Sequence, residues 1–329
     1  MQTSELDTLL QQVIIGLSNG MIIALVALGY TMVYGIVELI NFAHGDVFTL
    51  GGFLALTIIG ALGAAAIIDP ATLGDTSNWW LLLGLVLASG LFCGVLNMSI
   101  DRVVYKPLRR ASKLTQLVAA IGVSFILVNL AQFWGGLPME VFNDGVSATA
   151  PKDFPDILDW QANLLGEDSA VALRVEDMAI FAITIPLMIG LTVFVKKTRL
   201  GRGMRATAQN PIAARLMGID TDRVISATFM IGGFLAGAAA VMYAIFNNSI
   251  TYQQMGFRAG MDAFTAAVLG GIGSLPGAVL GGITIGVLRA MSDNYIDPSW
   301  TNVVVFSVLI LILVFRPSGL LGLKQREKV

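Results

Sequence analysis

Residues 11–34 read QQVIIGLSNGMIIALVALGYTMVY, a run with no charged side chain. A bilayer core of about 30 Å needs roughly 20 helical residues, so this run is long enough to cross one. Six further runs of this kind lie at 47–68, 79–99, 115–134, 178–195, 224–246 and 301–315, and an eighth at 261–288 is interrupted. Hydrophobic residues fill 56% of the 329 positions and charged residues 13%, with a mean hydropathy of +0.78. That is too apolar for a domain with a wet surface. The expected architecture is all-α: a polytopic membrane helix bundle of about eight spans with one broken or re-entrant helix pair, forming a single transmembrane domain over 1–329 with lipid around it.

Trp79, Trp80, Trp134 and Trp300 fall at span ends, where indole rings favour the headgroup level. The opening MQTSELDTLL has neither a basic residue nor a small-residue cleavage site after its apolar run, so the first span is expected to be retained. Cys93 is the one cysteine, which excludes a disulfide framework and a thiolate metal cluster. It reads as a small buried hydrophobe. The net charge is −2 and no polybasic tail points to nucleic acid as a partner.

The positions of the charges carry more than their sum. Basic residues gather at Arg102, Lys106, Arg109, Arg110 and Lys113, again at Lys196, Lys197, Arg199, Arg202, Arg205, Arg215 and Arg223, and finally at Arg316, Lys324, Arg326 and Lys328. The positive-inside rule assigns these to the cytoplasmic side. The connection 135–177 is instead acidic, with Glu140, Asp144, Asp153, Asp156, Asp159, Glu167, Asp168, Glu176 and Asp177 against Lys152 and Arg174, and belongs outside. Counting spans from these anchors puts the N-terminus outside, residues 38–46 on or near the cytoplasmic side, and both ends of the interrupted 261–288 run outside.

The cytoplasmic insert 196–223 reads KKTRLGRGMRATAQNPIAARLMGIDTDR and contains a short, self-contained helix signal. Asn210 suits an N-cap, Pro211 the first helical position, and Gly218 the stop after residues 212–217. Ile212, Leu216 and Met217 would form an apolar contact face, flanked by Arg202, Arg205 and Arg215. The arginines serve either as ion-pair donors to a docked partner, Arg215 foremost, or as ordinary positive-inside anchors.

Two breaks interrupt the apolar runs. The first, AVLGGIGSLPGAVLGG at 267–282, cannot continue as one straight helix through Gly273, Pro276 and Gly277. Such a break marks a substrate route or a tight turn between closely packed helices, the latter favoured by Gly273, Gly277 and Gly281 at four-residue spacing. Thr265 and Ser274 could offer hydroxyls to a route, or bond back to their own helices. The second break, ELINFAHGD at 38–46, concentrates Glu38, Asn41, His44 and Asp46 between two apolar runs. These residues line a pathway at membrane depth or form a solvated, helix-capping loop. A metal role for His44 has no partner His or Cys cluster behind it. Small-residue pairs at Gly90 and Gly94, Gly232 with Ala236 and Ala240, and Gly233 and Gly237 suit close helix packing.

No P-loop, HExxH or G-x-S-x-G pattern is present, so an intrinsic enzyme lacks its chemistry and transport remains, driven by an ion gradient or a separate ATPase. At this point the chain resembles the LivH-type permease subunits of bacterial branched-chain amino-acid ABC importers. The resemblance rests on GYTMVYGIVELINFAHGD at 29–46, GRGMRATAQNPIAARLMGIDTDRVI at 201–225, GMDAFTAAVLGGIGSLPGAVLGG at 260–282 and FRPSGLLG at 315–322, in family order along nearly the whole chain. The outer connection 135–177 and the first dozen residues match that family poorly. The resemblance implies a multi-pass permease of the bacterial inner membrane that works with a second similar permease, two cytoplasmic ATPase subunits that use ATP, and an extracytoplasmic substrate-binding protein. No cofactor is bound by the chain itself. Residues 210–218 would be the coupling helix that seats in the ATPase, and transport would proceed by alternating access. A related branch that imports urea or short amides shares the Asn-x-Ala-His-Gly pattern, and a stand-alone secondary transporter is the further alternative.

Overall fold

The computed structural model describes residues 5–38, 41–70, 73, 77–109, 111–145, 147–158, 163–166, 169–251 and 254–322. Arg110, Lys324, Arg326 and Lys328 of the basic clusters, and Asp159, Glu167 and Asp168 of the acidic connection, lie outside these. Helices α1 (Glu5–Val37), α2 (Ala43–Ala64) and α3 (Trp79–Ile100) come first, and α3 runs on through a π-turn at Asp101–Tyr105 into α4 (Lys106–Leu108). They are followed by α5 (Lys113–Gly135), strand β1 (Lys152–Asp153), α6 (Val175–Lys197), α7 (Arg199–Gln209), α8 (Pro211–Leu216) and α9 (Thr221–Asn247). Strand β2 (Ser249–Ile250), a π-segment (Gln254–Ala259), α10 (Gly260–Gly270), α11 (Leu275–Tyr295) and α12 (Thr301–Phe315) complete the chain. Among the described residues, seven helical stretches are long and apolar enough to cross a membrane, with α12 a shorter apolar eighth. The bundle of about eight spans with one broken pair is therefore present.

Helix α1 is the central staff, buried from Met21 through Val33. Lipid tails give apolar helices no hydrophobic reason to associate, so close backbone approach and dispersion must hold them together. Glycine supplies that approach. A Cβ on Gly16 would lie 2.7 Å from the Cα of Val287, and one on Gly282 would lie 2.6 Å from the Cα of Ala24, which packs α11 antiparallel on α1. Between α3 and α9, Gly233 and Gly237 meet the backbone of Cys93 and Ser89, while Gly90 and Gly94 receive Phe234 and Met230. Cys93 is buried in that seam and its thiol points to the carbonyl of Val47 at 3.2 Å.

Several helix starts carry the polar group that their orphan amides require. Ser112, Thr198, Asp220 and Ser274 each accept a hydrogen bond from an amide in the first turn of α5, α7, α9 and α11. The bundle's two faces differ. On one, β1 pairs antiparallel with β2, Lys152 opposite Ile250, tying the acidic connection to the end of α9. On the other, Lys113 reaches Glu38 at 3.7 Å, and the amides of Leu320 and Leu321 donate to the carbonyls of Leu269 and Gly270. That second face is called the basic face below.

Candidate functional site

On the basic face, α7 and α8 form a small platform. Gly201, Gly203, Met204 and Thr207 are the buried side of α7, and Arg205 donates to the carbonyl of Val195 at the end of α6. The chain then turns at Asn210, whose side-chain oxygen accepts from the amides of Ile212 and Ala213, both at 3.0 Å. Pro211 occupies the first turn, and Gly218, at φ +81°, takes the left-handed conformation that ends the helix. Only Ala214 of α8 is buried. Ile212, Leu216 and Met217 stand 72%, 83% and 82% exposed, an apolar face held out from the body.

What holds it out is a charge network. Arg215 donates through Nε to Thr221 Oγ1 at 2.6 Å and through Nη2 to Asp222 Oδ1 at 3.3 Å. Asp222 is shared with Arg109 at 2.6 Å and Lys106 at 3.5 Å. Arg109 also grips the fully buried Asp101 at 2.7 Å, and Asp101 accepts a further 2.6 Å bond from Ser226. Burying a carboxylate in an apolar bundle is costly unless it is paired and hydrogen-bonded to this degree. Arg215 and Arg205, read from sequence as possible donors to a partner, are thus engaged within the chain. Asp101 and Asp222 were missed. Asp101, a lone carboxylate at the end of an apolar run, was the available signal.

The platform abuts the first of the two breaks. Met204, Arg205 and Ala208 of α7 share a cavity of about 100 Å³ with Gly35, Ile36, Gly273 and Leu275. Gly273 lies at φ +90° in the turn between α10 and α11, and a Cβ on Gly35 would lie 3.4 Å from its Cα. Ser274 caps α11 by accepting from the amide of Gly277 at 3.2 Å. Gly277 itself presses on the backbone of Gly270, and Gly281 on that of Ala266. Close packing therefore accounts for Gly277 and Gly281, a positive φ for Gly273, and capping for Ser274. Thr265 is buried along α10.

The second break lies deep. His44 packs on Gly29, eight residues before the end of α1, which at 1.5 Å per residue is about 12 Å from the basic end of that helix. Helix α2 thus begins well inside the bundle from that end, and Asn41, His44 and Asp46 are all buried. Tyr105 donates to Asn41 Oδ1 at 2.7 Å, Asn41 Nδ2 to Asn97 Oδ1 at 3.3 Å, and Asn97 Nδ2 to the carbonyl of Phe229 at 2.7 Å. His44 rests edge-on against Tyr30 with ring centroids 4.7 Å apart, and neither of its ring nitrogens has a hydrogen-bond partner among the described residues. Ser124 of α5 donates to Asp46 Oδ2 at 2.5 Å.

The π-segment meets α2 at the same depth, since Gly256 and Gly260 lie against Gly45. Helix α10 consequently starts at the level of Gly45, and its 11 residues rise only about 16 Å, whereas α11 is long enough for a whole crossing. Beside it a groove of about 330 Å³ runs between α2, α5 and α10, with Asp46, Ser124 and Tyr30 set in a lining that is otherwise apolar, Phe42, Ile121, Phe125, Phe257 and Phe264 among it. Two helical starts, each with its positive dipole end, converge here. The residues named from sequence for a pathway therefore divide into a mid-depth group of Asn41, His44 and Asp46, a group at the basic face of Gly273, Ser274 and Gly277, and Thr265 by itself along α10. They do not form one site.

The family model described as branched-chain amino acid transport system / permease component matches residues 12–313. The chain is 40% identical over 326 residues to the high-affinity branched-chain amino acid transport system permease protein BraD of Pseudomonas aeruginosa, covering 97% of this chain and 98% of that protein. It is 38% identical over 322 residues to the permease protein LivH of Escherichia coli, covering 97% of each. A more distant likeness, 26% over 156 residues, covers 46% of this chain and 36% of LivM, a second permease protein of the E. coli system. No solved structure matches the chain.

Proposed function

The chain belongs to the family of branched-chain amino acid transport permease components, and from that premise we propose that it moves leucine, isoleucine, valine or related amino acids into the cytoplasm by alternating access. It is a multi-pass protein of the bacterial inner membrane. In the proposed assembly it pairs with a second permease of the same family, receives substrate from a binding protein outside, and is driven by two cytoplasmic ATPase subunits that use ATP. The likeness to LivM supports the second permease.

The basic face is then cytoplasmic and the acidic connection 135–177 external. The observation that carries the reading is α8: a capped two-turn helix with Ile212, Leu216 and Met217 exposed while Arg215 is anchored behind them. An apolar face presented this rigidly suits a groove in a partner protein. Force applied there reaches the bundle along two routes, through Asp222 and Arg109 to α3, and through α7 to the turn at Gly273. The mid-depth groove at Asp46 is the proposed passage.

The test is co-purification of the ATPase subunits with membranes carrying the Ile212→Asp, Leu216→Asp double variant. Their release is expected, and undiminished retention overturns the assignment. Leucine uptake by the purified chain alone in liposomes under an ion gradient would instead identify a stand-alone transporter.

A further inference from the structure

A second cavity, of about 190 Å³, opens between α1, α2, α9, the π-segment, α10 and α11, on the side of Gly45 away from the basic face. A single ordered water needs about 10–15 Å³, so this space admits a larger solute. Its charged lining is of both signs: Arg258 and Arg289 with Asp262 and Asp293. Ile22, Ile23, Val26 and Phe48 form an apolar wall in the same cavity. Arg289 is the built part. It is only 6% exposed, its Nη2 donates to Asp262 at 2.7 Å and to Asn302 at 2.8 Å, and its buried Nε has no hydrogen-bond partner among the described residues.

A buried guanidinium left with an unused donor is costly unless something else accepts from it. Opposite charges a few ångströms apart, beside an aliphatic wall, match a small molecule that carries both charges at one end and hydrocarbon at the other. We propose that this cavity is a holding site for an α-amino acid within the permease itself, its carboxylate toward Arg289 and Arg258, its ammonium toward Asp262 and Asp293, and its side chain toward Ile22, Ile23, Val26 and Phe48. The site rests on the transport reading above and adds to it a place where the permease itself recognises the zwitterion. Arg258 and Asp293 are exposed at the mouth, while Asp262 and Arg289 are buried behind them. The π-segment forms the floor, because Arg258 and Ala259 face this cavity and Gly256 and Phe257 the deeper apolar groove.

The test exploits Cys93, which is buried, as the chain's single cysteine. Asn247→Cys places a reactive thiol in the cavity lining. In the assembled importer in proteoliposomes, saturating L-leucine is expected to slow labelling of that thiol by a small methanethiosulfonate reagent. Isopentylamine and isovalerate, which each lack one of the two charges, are expected to give no protection. Arg258→Gln, at the exposed mouth and therefore safe for folding, should raise the leucine concentration for half protection by about tenfold. Arg289→Gln should abolish protection in whatever fraction assembles. Equal labelling rates with and without leucine overturn the site, as does equal protection by isopentylamine. Leucine uptake by the unmodified importer is scored separately: uptake without protection removes the holding site and leaves the transport reading intact, whereas absence of uptake removes the reading itself.

Discussion

Arg109 Nη1 stands 2.6 Å from Asp222 Oδ1, and the same guanidinium grips Asp101 with its other amino group, so one side chain joins the end of α3 to the start of α9. The two carboxylates differ in what their loss would do. Asp101 is fully buried, and Asp101→Asn leaves Arg109 underpaired inside the bundle at a cost of about 3–5 kcal/mol. Asp222 is partly solvated and Asp222→Asn should cost about 1 kcal/mol or less. Thermal unfolding in detergent should rank them in that order, and equal midpoints would show that the network is not anchored at Asp101.

Helix α8 depends on its cap more than a long helix would, because six residues supply few hydrogen bonds of their own. Asn210→Ala should destabilise it by about 1 kcal/mol. The readout is faster proteolysis within 199–220 at an unchanged global unfolding midpoint, together with weaker retention of the ATPase subunits. Unchanged proteolysis would mean that α8 is held by Arg215 alone.

The two glycines of the broken pair should separate under substitution. Gly277→Leu collides with the backbone of Gly270, which cannot give way, and should prevent accumulation of the folded protein. Gly273 has open space around it but a φ of +90°, so Gly273→Ala should fold with a strain of about 1–3 kcal/mol and reduced uptake. Normal uptake by Gly273→Ala would take the turn out of the transport cycle.

Gly29 and His44 should behave as a coupled pair. Gly29→Ala drives a methyl group into the imidazole, since a Cβ there would lie 2.7 Å from Cε1, and should cost about 1–3 kcal/mol. His44→Ala relieves the collision, so the double variant should be more stable than the sum of the single effects predicts. Strict additivity would contradict the contact.

Much of this architecture could be read from the chain because it is local. A span is declared by some twenty neighbouring residues, and the α8 helix by nine, so both emerged at their places. The small-residue pairs of α3 and α9 were recognisable as packing surfaces for the same reason. What escaped was set by distant residues. Asn41 finds Asn97 56 positions away, and Arg109 finds Asp222 113 positions away, separations that leave no periodic mark. The depth of Asn41–Asp46 follows from the contact of His44 with Gly29 across a chain reversal, which composition does not encode. Asp262 and Arg289 could have been suspected as ionisable residues inside apolar runs.

The mid-depth start of α2 also bears on biogenesis. Asn41 leaves the ribosome 56 residues before Asn97, and Asn97 a further 132 before the carbonyl of Phe229 that accepts from it. Until α3 and the π-turn that follows it arrive, Asn41 at the start of α2 lacks its partners Asn97 and Tyr105, and hydrocarbon offers none. The Phe229 carbonyl comes much later, so a polypeptide truncated before α9 can seat Asn41 but leaves Asn97 without its acceptor and cannot complete this chain of hydrogen bonds.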